Sequence, residues 1–269
     1  MDEVNTGLFN FVSVPQSYRE FLQPAVFDPW AQELLGFVPP ARGSVILDVA
    51  AGTGAVAHAA AQVAGPSGRV IASDVSPLML ADTGSAQTAD RAPVEVLVGP
   101  AEQLSLPEAS VDVAYCQQGL QFMPDRRAVM AELHRVLRPG GVVGVAVWAE
   151  GTRPEPFDTY ARILRAHGVA EPYPDAYDTP VVTMSEQAIG DLLNDAGFAE
   201  ITVHTVTLSL TWPEPQAAAS GLLGSSYGPT VASLEPAQQD ALFSALVQEV
   251  SRNQPEVTMT AVLGRGTVG

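Results

Sequence analysis

Lysine is absent from this chain of 269 residues, so all 13 basic side chains are arginine. That excludes imine chemistry on a lysine amine and the lysine of a phosphate-binding P-loop. A single cysteine, Cys116, allows neither an internal disulfide nor a thiolate zinc cluster. The four histidines are scattered without metal-ligand spacing, and no metal is expected. No apolar run is long enough to span a bilayer. The opening MDEVNTGLFN is acidic and polar, unlike a secretory signal, so the expected location is the cytoplasm. Positive charge is scarce: 13 basic against 30 acidic residues give a formal charge of −17. Such a surface repels phosphate backbones and anionic lipids, so neither nucleic acid nor membrane is an expected partner.

What remains is a chain with 46% hydrophobic residues, enough for one large packed domain over residues 1–269. Residues 1–40 read as helices and loops, with Pro24 and Pro29 interrupting the helical pattern of Ser17 to Gly36. They are rich in aromatics: Phe9, Phe11, Tyr18, Phe21, Phe27 and Trp30. This segment suits either a lid over a cleft or an apolar brace on the main domain.

From Ser44 strand and helix patterns alternate. SVILDVA, RVIASDV, VEVLVG, VDVAYC and VVGVAVW are short β-branched runs suited to strands buried on both faces of a parallel sheet. Between them lie helical patterns: AVAHAAAQVA, SPLMLADTGSAQTA with Ser76 as cap, and RRAVMAELHRVL ending at the RPGG turn. The alternation predicts a doubly wound α/β sheet with helices on both faces. Residues 149–184 and 212–256 break the regularity and read as cap insertions. Residues 185–211 and 257–269 return to helix and strand, and complete the sheet.

The informative segment is Asp48-Val49-Ala50-Ala51-Gly52-Thr53-Gly54, where a strand meets a helix. Glycines there let the backbone approach a ligand at the carboxyl end of a strand. Asp74 follows at the end of the next strand, where a carboxylate can accept from both ribose hydroxyls. Gly52 to Ala57 also fits the dinucleotide form G-x-G-x-x-A. Asp48 argues against it. A carboxylate beside that turn repels a pyrophosphate but favours an ammonium and a sulfonium.

With VILDVAAGTG, VIASDVSPLML, VGPAEQL, VDVAYCQQGLQFMPD and ELHRVLRPGG in order, the chain resembles the class I S-adenosylmethionine (SAM)-dependent methyltransferases. The likeness is to the small-molecule branch that includes ubiquinone-biosynthesis enzymes. The resemblance is strong over residues 17–148. It implies a Rossmann-like seven-stranded sheet with the last strand antiparallel, SAM as cofactor and S-adenosylhomocysteine as product.

It also implies roles. Asp48, Ala50, Gly52 and Gly54 would shape the loop under the methionine moiety, and Asp74 would hold the ribose. Val75 and Met79 would flank adenine, with the Ala101 N–H at its edge. Cys116 and Gln117 would line the methionine end, and Tyr18 would reach the carboxylate. Ala50 stands where the family commonly has glycine. Pro100 stands where it has an aspartate that accepts from the adenine amino group, a task Glu102 could assume.

Methyl transfer from a sulfonium gains much from alignment alone, so no general base is assigned. The expected substrate pocket draws on Phe21, Gln118, Gln121, Trp148, Trp212 and Tyr227, and suits a small hydrophobic or aromatic acceptor, by family analogy in secondary metabolism. Three other readings stay open: a SAM-binding enzyme of rearrangement or cyclisation, a nicotinamide-dependent reductase, and a non-catalytic metabolite-binding module.

Overall fold

The computed structural model describes residues 13–84, 88–152, 157–170, 183–212, 214–225, 227–253 and 256–269. Phe9 and Phe11 therefore lie outside the described residues, as do parts of both cap insertions.

Seven strands form one sheet in the order β3-β2-β1-β4-β5-β7-β6. They are β1 Val45–Val49, β2 Arg69–Asp74, β3 Val94–Val98, β4 Val111–Gln117, β5 Leu137–Trp148, β6 Ala199–Thr211 and β7 Glu256–Thr267. The first five run parallel. The last strand, β7, is antiparallel to both β5 and β6. The expected fold class holds, and β6 and β7 pair as neighbours although residues 212–255 intervene.

Alternation within each strand builds two cores. Ile46, Val70, Val113, Tyr115, Ala146 and Leu263 face one layer with Trp30, Leu34, Val56 and Ala60. Leu47, Ile71, Ala114, Cys116, Val145 and Val262 face the other, with Met130, Leu133 and Ile189. Strands buried on both faces explain the unbroken apolar runs of the sequence.

The N-terminal segment differs from expectation. It is helical without interruption from Ser13 to Phe37: α1 (Ser13–Ser17), a π-helical stretch (Tyr18–Phe27) and α2 (Asp28–Phe37). Pro24 lies inside the π stretch, whose altered hydrogen-bond ladder tolerates a residue with no N–H. Pro29 sits in the first turn of α2, where its lost donor has no partner in any case.

The helix after β2 is also shorter than expected. Among its described residues only Pro77–Leu80 (α4, after α3 at Ala55–Ala64) is helical, capped by the Ser76 hydroxyl accepting from the Met79 N–H. In the turn that follows, the Thr83 hydroxyl donates to the Gly52 carbonyl at 3.3 Å. The Thr83 carbonyl in turn bonds His58 Nε2 at 2.9 Å. These ties draw the chain toward the β1–α3 loop instead of along a helix axis.

Two helices, α5 (Arg126–Val136) and α7 (Glu186–Asp195), cover the second core. Four more belong to the C-terminal and cap regions: α6 (Phe157–Ala166), α8 (Pro215–Gly224), α9 (Gly228–Ala232) and α10 (Pro236–Asn253). Among the described residues no helix is long and apolar enough to cross a membrane.

Candidate active site

The strand order reverses at β1. The chain runs outward through β2 and β3, then returns to place β4 on the other side of β1. Such a switch point opens a crevice at the carboxyl ends of the two strands. Val49 pairs with Cys116 there, so the loops after β1 and β4 leave the sheet side by side. A small cleft open to solvent lies at this point, lined by Tyr18, Phe27, Asp48, Ala50, Ala51, Thr53, Ala55, Val56 and Gln117.

The two loop glycines serve different ends. Gly54 has φ +92°, and a Cβ on it would lie 2.7 Å from Thr83 Cγ2 and 2.9 Å from His58 Cε1. Packing within the protein therefore demands it. Gly52 has φ +57°, and a Cβ there would meet only Met79 Cε, at an ordinary 3.4 Å. Gly52 keeps open space over the loop, as a backbone that cradles a ligand must.

Asp74 holds the loop and remains able to bind. Its Oδ2 accepts from the Gly52 N–H and its Oδ1 from the Ser76 N–H, both at 2.9 Å. With Val75 as a third backbone donor, the carboxylate still has acceptor capacity left for a hydroxyl. Burial raises the Asp74 pKa, and the backbone donors of Ser76 and Gly52 oppose that rise. Asp48 accepts from the Ala57 N–H at 2.9 Å. Burial pushes its carboxyl up to about 8, with the charge of Asp74 adding to the effect. A cation beside Asp48 would offset that desolvation and draw the proton off. Tyr18 stacks on Phe27 with ring centroids 4.6 Å apart. Burial, then the charges of Asp74, Asp28 and Asp48, raise its hydroxyl well above the usual range, so it stays a donor. The donor set thus matches a ligand with a cationic end and a ribose.

The N-terminal helix is tied to this loop. Thr53 Oγ1 donates to Gln23 Oε1 at 2.6 Å, and Gln23 Nε2 donates to Asp28 Oδ1 at 3.1 Å. Gln117 Nε2 donates to the Phe27 carbonyl at 3.0 Å. Local pattern singles out neither Gln23 nor this role of Thr53, because the Thr53–Gln23 and Gln117–Phe27 bonds join residues 30 and 90 positions apart.

Residues 47–145 match the family described as Methyltransferase domain. The chain is 28% identical over 254 residues to the nocamycin O-methyltransferase of Saccharothrix syringae, covering 87% of this chain and 88% of that one. It is also 28% identical over 186 residues to the ubiquinone/menaquinone biosynthesis C-methyltransferase UbiE of Hahella chejuensis (60% and 74% covered). In fold it resembles Haemonchus contortus phosphoethanolamine N-methyltransferase 2 in complex with S-adenosyl-L-methionine. The TM-score is 0.59 at 19% identity, covering 99% of this chain and 58% of that one. The family match and these relatives together identify a SAM-dependent methyltransferase, with its methyltransferase domain over residues 47–145.

For a methyltransferase the remaining residues fall into three groups. Val75 is 49% exposed at the rim beside Asp74, and Met79 is buried under Gly52. Pro100 is exposed and offers no side-chain acceptor, whereas Glu102 has a buried Oε1 without a hydrogen-bond partner, beside the half-buried Ala101. Cys116 is fully buried, and burial, then the Asp48 charge, push its thiol up to about 12, which leaves it inert as a nucleophile.

The residues expected to bind the acceptor are dispersed. Trp148 meets Trp30 edge-on at 5.9 Å, and Tyr227 meets Tyr160 at 6.4 Å. Trp148, Trp212 and Tyr227 are buried in the first core, with Phe21 partly buried against it, and none of the four lines the described pocket. Gln118 and Gln121 are buried just beyond Gln117. The four histidines are engaged elsewhere: His58 with Thr83, His134 with Phe198, His167 with Ile163 and His204 with Phe37.

Proposed function

We propose that this methyltransferase holds SAM along the β1–α3 loop and acts on a small hydrophobic or aromatic acceptor, in the cytoplasm and in secondary metabolism. One observation carries the binding mode: buried Asp48 lines the switch-point pocket, and half-buried Asp74 at the end of β2 holds the N–H of Gly52 in the open loop beside it. That pairing favours a cation and a ribose over a pyrophosphate. Asp74 would take the ribose hydroxyls, Asp48 would face the cationic methionine end, and Tyr18 would donate to its carboxylate. Val75 and Met79 would flank the adenine, with Glu102 taking the place of the acceptor that Pro100 lacks. The nocamycin relative supports the metabolic setting.

Bound SAM supplies an electrophilic methyl group on a good, neutral leaving group. The protein's part is then alignment and exclusion of water, which suffices for large accelerations. The helix over Ser13–Phe37 serves as cover: Tyr18 and Phe27 line the pocket, and Gln23 and Phe27 tie it to the loops after β1 and β4.

Calorimetry with SAM, S-adenosylhomocysteine and NAD tests the reading. Binding of the first two in the micromolar range or tighter, and none of NAD, is expected. Binding of NAD alone would overturn it.

A further inference from the structure

The segment leaving β4 carries three glutamines within five residues: Gln117, Gln118 and Gln121. All three are buried, at 8%, 7% and 1% exposure. Gln117 uses its Nε2 on the Phe27 carbonyl, but its Oε1 has no partner. Gln118 and Gln121 have no hydrogen-bond partner on either amide atom. Native interiors rarely tolerate this, because a buried amide left unpaired costs stability.

The backbone is unusual at the same place. Gln118 has φ +52°, a conformation that side-chain-bearing residues avoid, and its N–H is fixed to the Ala146 carbonyl at 2.7 Å. Gln121 lies in a 3-10 turn (Leu120–Phe122) whose Gln121 carbonyl is held by Arg126 Nη2 at 2.7 Å. The fold thus pins the main chain of both residues while leaving their amides unsatisfied. The segment starts at Gln117, in the wall of the pocket.

We propose that Gln118 and Gln121 are the specificity-determining residues for the methyl acceptor, and that they bind an uncharged head bearing a hydrogen-bond donor and acceptor on neighbouring atoms, as in a lactam. The inference rests on the methyl-transfer reading. A carboxamide presents one donor edge and one acceptor edge side by side and carries no charge at any working pH. Its best complement is a neutral group with the same pair reversed. A carboxylate or ammonium would leave one edge of each amide unpaired. A site built from buried polar groups also rejects analogues that lack them, since the amides are then stranded again.

The test uses 4-hydroxy-2-quinolone, which carries the lactam pair, and its N-methyl derivative, which lacks the donor. Affinity of each for the protein–S-adenosylhomocysteine complex is measured by calorimetry, for wild type, Gln118→Met and Gln121→Met. Wild type should prefer the quinolone at least tenfold, and each variant should lose that preference. Each variant should bind S-adenosylhomocysteine within twofold of wild type. Each should also melt about 2–4 °C higher, because an unpaired buried amide has been replaced by a thioether of similar size. Lower melting temperatures would show that the amides serve the fold and would overturn the inference. So would equal affinity for the two quinolones, or no quinolone binding to a complex that forms normally. Failure to bind S-adenosylhomocysteine at all would instead strike the methyl-transfer reading itself.

Discussion

Ala50 and Gly119 occupy one space between two loops. Ala50, at the end of β1, has φ +56°. A Cβ built on Gly119, just after β4, would come closer than 3.0 Å to the Ala50 Cβ, a separation that carbon atoms do not reach. Gly119 itself has φ −109°, so nothing in its own backbone calls for glycine. It is glycine because its neighbour is not. The space between the two loops holds one methyl group, and Ala50 fills it.

Gly119→Ala should therefore destabilise the protein by about 1–3 kcal/mol through overpacking. Ala50→Gly should relieve a left-handed alanine, worth roughly 1 kcal/mol before the added freedom of the unfolded chain is subtracted. The double variant should recover most of the loss. Urea denaturation of the four proteins gives the coupling energy, and additive effects would mean the two loops do not touch.

Asp48 makes both stability and cofactor binding depend on pH. Its carboxyl keeps a proton up to about pH 8 in the fold but loses it near pH 4 when unfolded. Between those values the folded state binds more protons, so this group costs stability as pH rises, by up to roughly 1.4 kcal/mol per pH unit. Asp48→Asn should raise the melting temperature more at pH 8 than at pH 5. Since a cation favours the ionised form, wild-type SAM affinity should climb from pH 6 to 8 and then level, a rise absent in the variant.

Asp74→Ala should weaken SAM binding by about 1.5–3 kcal/mol, as an ionised acceptor is lost and the Gly52 N–H loses its anchor. Titration calorimetry on the folded variant provides the number. Unchanged affinity would remove Asp74 from the site.

Cys116 should not react with Ellman's reagent in the native protein and should react once in denaturant. Its burial and its thiol pKa pushed to about 12 leave almost no thiolate at neutral pH. Rapid native labelling would mean that the end of β4 opens to solvent.

If the N-terminal helix is a cover, S-adenosylhomocysteine should slow hydrogen exchange across Tyr18–Phe27. Gln23→Leu, which removes the bond to Thr53, should reduce that protection without unfolding the sheet. Identical exchange with and without ligand would make the segment a static brace.

The sequence by itself determined the cofactor half. Strand periodicity, the glycines after β1 and the carboxylate after β2 are local features, and each dictates its geometry within a few residues. The alternation of strands and helices was enough to foresee the doubly wound sheet, and the order of five motifs the family. Only the tertiary structure decided the rest. Pro24 looked like a helix break, yet packing carries it through a π-helical stretch. Trp212 and Tyr227 looked like pocket residues, yet they are buried in the first core with Tyr160 and Leu22. Gly119 answers to Ala50, 69 positions away in the chain (119 − 50). Gln118 and Gln121 were pocket candidates from their place after β4, but that their buried amides find no partner among the described residues is visible only in the fold. Hydrogen-bond satisfaction and steric fit depend on residues distant in sequence, and no local pattern records them.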